Sequence, residues 1–204
     1  MAYSKKKVLR TVEIAFLMAL VVALQMISAL IPPIAGMVSI TLTLIPVVVG
    51  GILLGKRSGA LLGLTFGVVV LINCISGLDI GGNILWSANP FLTASICLVK
   101  GVAAGFVPAV LYELIGGNCN CEKKKMVATF VAALSAPIVN TGLFVVGMLL
   151  FFSETLKAWA GGTNVIQYII LGLAGVNFLV EFSINILLSP ALVRISSAVK
   201  RKVK

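Results

Sequence analysis

The feature that most constrains this chain is the length of its apolar runs. Between residues 11 and 31 only Glu13, Gln25 and the hydroxyls of Thr11 and Ser28 interrupt a stretch of Leu, Val, Ile, Met, Phe and Ala. Comparable runs recur at roughly 38–55, 59–75, 90–115, 126–152 and 166–195. About 18 or more mostly apolar residues are enough to cross a bilayer as a helix. A helix satisfies its backbone N–H and C=O groups internally, which lipid demands. The short, alternating, turn-separated segments of a membrane β-barrel are not seen. The expected fold is therefore an all-α integral membrane protein of six transmembrane helices.

Composition leaves no room for a second kind of domain. Apolar residues make up 60% of the chain and charged ones 11%, whereas soluble domains run about 45–50% and about 25%. Residues 1–204 are expected to form a single membrane domain. The basic start "MAYSKKK" is that of a signal peptide, but the apolar run behind it is too long and lacks a small-x-small cleavage site. It reads as a retained first helix.

The formal net charge of +10 would suit nucleic acid, but the placement of the cations argues against it. They cluster beside the apolar runs: Lys5, Lys6, Lys7 and Arg10; Lys56 and Arg57; Lys123, Lys124 and Lys125; Arg194, Lys200, Arg201, Lys202 and Lys204. With a cytoplasmic N-terminus, fourteen of the sixteen Lys and Arg fall on the inner side. Lys157 lies outside and Lys100 inside the fourth span. This is the positive-inside pattern of a plasma-membrane protein with both termini in the cytoplasm.

Several chemistries drop out. The chain has no histidine, so a Ser-His dyad, a histidine-based zinc site and a histidine general base are all excluded. No G-x-x-x-x-G-K-[ST] phosphate loop is present, and the six acids do not cluster for a divalent metal. Cys119 and Cys121 sit beside a basic, inward-facing loop and read as free thiols. Neither an enzyme nor a cofactor is expected.

Ionisable groups inside a span are costly and point to function. Lys100 lies about ten residues below the outer end of helix 4. On helix 6 the spacing of Asn177, Glu181 and Asn185 places all three on one face. Asn140 of helix 5 falls at a depth similar to Lys100 and Asn177, roughly 15–18 Å from the outer ends. These residues fit two accounts: a structural Lys100–Glu181 pair with interhelical amide contacts, or an outward-open polar cavity that takes an anionic or carbonyl-rich ligand. The outer loops "SGLDIGGNILWSAN" and "SETLKAWAGGTN" suit interface anchoring through Trp86 and Trp159, or glycine-hinged lids. On helix 1, Ala15, Ala19 and Ala23 form a bare stripe through which another helix could approach closely.

Six helices in about 200 residues, this stripe, and above all "LIPVVVGGILLGKRSGALLG" resemble the S component of energy-coupling factor (ECF) vitamin transporters. With "SGLDIGGNILWSANPFLT" the chain looks most like the pantothenate-type members. The resemblance implies a vitamin-capturing subunit that works with a membrane T component and two cytoplasmic ATPases. It implies that Ala15, Ala19 and Ala23 dock onto the T component. A pantothenate carboxylate would then meet Lys100, and Asn83, Asn89, Thr93, Trp86, Asn140 and Asn177 would serve its hydroxyls, amide and gem-dimethyl group. Glu181 would neutralise Lys100 when no ligand is bound. Rival substrates within the family are riboflavin, a pyridoxine-like compound or a pyrimidine precursor. A ligand-free membrane scaffold is the rival outside it.

Overall fold

The structure is a computed structural model that describes residues 2–30, 42–117, 121–173, 175 and 178–187. Asn177, Cys119 and the basic C-terminal cluster from Arg194 onward lie outside the described residues, as do the first residues of the second expected span and the end of the sixth.

Helices α1 (Ala2–Leu30), α2 (Leu44–Leu54), α3 (Lys56–Ser76), α4 (Ile80–Ala88), α5 (Pro90–Tyr112), α6 (Glu122–Phe151), α7 (Ser153–Ala160) and α8 (Val165–Tyr168) follow in order, then α9 (Phe178–Leu187). A π turn, Glu113–Gly117, extends α5, and another, Ile169–Leu173, extends α8. Among the described residues there are no strands. Four helices (within α1, α3, α5 with its π turn, and α6) are long and apolar enough to cross a membrane. The described parts of the second and sixth expected spans include the shorter apolar helices α2 and α9. At 1.5 Å per residue, the eleven residues of α2 reach only about 16 Å.

Both outer segments read as loops contain helices. Gly77, at φ +78°, turns the chain out of α3 in the left-handed region, where a Cβ is disfavoured. Asp79 then caps α4, its Oδ1 accepting from the Gly82 N–H at 3.1 Å. Asn83 Nδ2 donates to the Cys74 carbonyl at 2.9 Å and ties α4 back onto α3. In the second segment α7 is a full helix of eight residues.

The central contact is α3 against α5, and it runs backbone to backbone. A Cβ on Gly63 would overlap the Gly101 carbonyl, one on Gly59 would overlap that of Gly105, and one on Gly67 would come within 2.6 Å of the Cys97 carbonyl. Lipid tails are as apolar as Leu, so membrane helices associate through close packing, and glycine permits the closest approach. Gly63→Ala is therefore expected to lower stability by about 1–3 kcal/mol through overpacking. A Cβ at Gly142 meets nothing within 4 Å, so Gly142→Ala in α6 should be neutral or stabilising by up to about 1 kcal/mol. Thermal unfolding of the two variants in detergent checks the contrast.

Two cores result. The larger joins Val21 of α1, Leu44, Val47 and Val48 of α2, Leu62 and Phe66 of α3, Ala104 of α5 and Ala132, Ala133 and Ala136 of α6. A smaller one joins Leu85 of α4, Met148 of α6, Leu156 of α7 and Ile169.

Three of the basic clusters share one end of the bundle. Arg10 Nη2 donates to the Leu54 carbonyl at 2.7 Å, Lys56 Nζ lies 3.3 Å from Glu113 Oε2, and Gly116 packs beside the backbone of Lys124 and Lys125. Outward from the cores, large side chains such as Phe16, Phe91 and Leu150 are exposed, as befits helices surrounded by lipid.

Candidate functional site

The site is built at the end opposite the basic clusters, where α3 finishes, α4 folds over and α5 begins. Asn89 caps α5, its Oδ1 accepting from the Leu92 N–H at 3.1 Å. Pro90 follows at the first helical position, where its missing N–H costs nothing. Thr93 Oγ1 donates to the Asn89 carbonyl at 2.9 Å. This rigid start sets the register of α5, so that Thr93, Cys97, Lys100 and Ala104 turn inward and are buried at the i, i+4, i+7, i+11 spacing of one helical face.

Lys100 is only 8% exposed. Its ammonium sits over the Phe144 ring of α6, 4.9 Å from the centroid, where the ring's negative face offers some compensation for lost water. Around it lies a cavity of about 30 Å³ lined by Cys74, Asp79, Thr93, Cys97 and Phe144 among others. That is room for about one water. Val70, Cys74 and Cys97 of its wall belong or pack to the larger core, and Leu85, Ile96 and Phe144 to the smaller one. The cavity thus lies on the seam between two cores, one of which is carried by α4, α7 and the C-terminal end of α6.

The acid on this wall is Asp79, to which the sequence alone assigns no role. Burial pushes its carboxyl above the usual carboxylate range, against the pull of the Gly82 N–H, the Lys100 charge and the Gly81 N–H. Gly82 makes its position possible, because a Cβ there would overlap the Cys74 sulfur. The sequence signal was present in "GLDIGG", an Asx cap followed by glycines. Cys74 of α3 and Cys97 of α5 line the same cavity wall.

The other expected site residues are placed as follows. Asn89 and Asn83 are engaged in the cap and in the α3–α4 tie described above. Trp86 is half-buried on α4. Asn140 is 6% exposed, and its Oδ1 is buried with no hydrogen-bond donor among the described residues, as is Asn73 Oδ1 on α3; such acceptors are rare in a folded interior. Glu181 is 4% exposed on α9, and its carbonyl accepts from Asn185 Nδ2 at 2.8 Å. Gln25 is committed to Thr43, whose hydroxyl donates to its Oε1 at 2.6 Å. On α1, Val21, Gln25 and Ser28 face inward, while Ala15, Ala19 and Ala23 are exposed.

No protein-family model matches the chain. It is similar to the pantothenic acid transporter PanT of Lactococcus lactis subsp. cremoris, at 27% identity over 161 residues, covering 75% of either chain. The four long apolar helices agree with a membrane location. The chain is a membrane protein similar to a pantothenic acid transporter.

Proposed function

We propose that this protein is the vitamin-capturing S component of an ECF-type, ATP-driven importer and that its ligand is pantothenate. The observation that carries the reading is a buried lysine inside a span, facing a cavity, in a chain similar to a pantothenic acid transporter. A desolvated ammonium is costly unless something anionic meets it. Pantothenate offers a carboxylate for Lys100, hydroxyls and an amide N–H for buried acceptors such as Asn73 and Asn140, and a gem-dimethyl group for the apolar wall.

Binding requires movement. Small-molecule sites enclose about 300–1,000 Å³, far above the present cavity, so the ligand enters as the smaller core separates from the larger one along their seam. The α4 and α7 segments then act as the lid. The chain crosses the membrane six times with both termini in the cytoplasm, so that the shared basic end faces inward and the cavity faces outward. The exposed stripe of Ala15, Ala19 and Ala23 docks on a membrane T component, and two cytoplasmic ATPases supply the energy. The protein performs no chemistry of its own.

Native mass spectrometry of the detergent-purified protein tests this, with titration calorimetry against a vitamin panel. Near-stoichiometric pantothenate, or tight binding of it, is the expected result. Capture of riboflavin, a pyridoxine-like compound or a pyrimidine precursor would keep the S-component role and change the substrate. A protein that takes up nothing from the panel would be a scaffold.

A further inference from the structure

Lys100 and Asp79 face one cavity from different elements, and an anionic ligand brings a second carboxylate to the same ammonium. We propose that Asp79 is the counter-ion of Lys100 until the ligand arrives, and that the ligand carboxylate binds together with one proton taken up by Asp79. This rests on the reading of the site as a pantothenate site.

The charge arithmetic drives the coupling. With Asp79 ionised, the Lys100–Asp79 pair is neutral, and adding a carboxylate would leave a net negative charge among Val70, Leu85, Ile96 and Phe144. Like charges sharing a low-dielectric site cannot all stay ionised, and one carboxylate takes a proton. Asp79 is the group prepared for it, since burial already favours its neutral form. Among the described residues the groups facing it are few. From α3 comes the Cys74 thiol, and from α5 the Cys97 thiol and the Lys100 ammonium. Thr93 and Phe144, on α5 and α6, bring no charge to the same wall.

The step balances simply. One proton moves from the external solution to Asp79 Oδ2, and no other bond is made or broken. Oδ1 keeps its hydrogen bond from the Gly82 N–H, so α4 stays capped. The new O–H becomes a donor to the incoming carboxylate beside Lys100. Asp79 thereby tunes the site for a monoanion, and protonated or neutral at this position it removes the competitor for the lysine.

The sign follows from linkage. Below the pKa of Asp79 in the ligand-free protein the proton is already bound, and affinity is independent of pH. Above it each ligand must bring a proton, so affinity falls by up to about tenfold per pH unit. A free carboxylic acid titrates at about 4, so pantothenate itself stays ionised throughout.

Calorimetry of pantothenate binding to the full-length protein, in buffers of different ionisation enthalpy and over about two pH units on either side of neutrality, tests the coupling. Wild type should take up close to one proton per ligand in the range where affinity falls. Asp79→Asn, which keeps a good helix cap, should bind with no proton uptake, a flat pH profile and higher affinity than wild type at the alkaline end. Binding by wild type with no proton uptake and no pH dependence overturns the inference and leaves the pantothenate reading standing. So does an Asp79→Asn variant that still takes up a proton. Absence of binding by wild type at every pH overturns both. Should Asp79→Asn fail to fold, the wild-type proton count decides alone.

Discussion

Lys100→Met is expected to leave a folded protein that binds pantothenate on the order of 100-fold more weakly, while the neutral alcohol analogue of the vitamin binds nearly as before. Removing one partner of a buried, hydrogen-bonded charge pair typically costs about 2–5 kcal/mol, and about 3 kcal/mol corresponds to that factor. Methionine matches the length of the lysine stem and can lie against Phe144, whose ring now carries the ammonium at 4.9 Å. Asp79, left without a neighbouring cation, can take up a proton because burial favours the neutral acid, so the fold is not left with a stranded charge. Calorimetry with the two ligands separates the roles. Equal weakening of both would make Lys100 a structural strut and remove the anion site.

Ala19→Trp should abolish uptake of the vitamin by cells while leaving the affinity of the purified protein within about twofold, a change of under about 0.5 kcal/mol. The prediction turns on where the side chain points. Ala19 is exposed on α1, as are Ala15 and Ala23, and the helix buries its other face through Val21, Gln25 and Ser28. A Trp there enters lipid and disturbs neither core. It would, however, hold an approaching helix away from the α1 backbone, and close packing is the main source of helix association within a membrane. Paired measurements of radiolabelled uptake and of binding decide the matter. Joint loss of both would show that α1 serves the fold or the cavity rather than a partner.

The sequence carried the class of fold because that information is local. Apolar run length sets which segments suit lipid, and the cluster positions of Lys and Arg sort the ends of the helices, as the contacts of Arg10, Lys56 and the 124–125 backbone at one end illustrate. The four-residue spacing of Gly59, Gly63 and Gly67 puts all three on one face of α3, since spacing along one helix fixes a face. It could not name the partner, which is the Gly101 and Gly105 backbone of α5.

Lys100 was legible for the same reason: a charge within a span stands out by cost alone. Its surroundings were not. Counting residues down each helix gives depth but no direction across the bundle, and it suggested Glu181 as the neighbouring acid. The chain reaches the same place by another route. Gly77 turns, Asp79 caps, Asn83 ties back to Cys74, and the segment that looked like a glycine-rich loop becomes a helix that carries an acid into the cavity wall. By itself, then, the sequence determined a helical membrane protein, its buried cation and its small-residue faces. Only the tertiary structure decided that Phe144 lies under that cation and that Asp79 lines the same cavity at the seam of two cores, because which side chains converge depends on how separate helices turn toward one another.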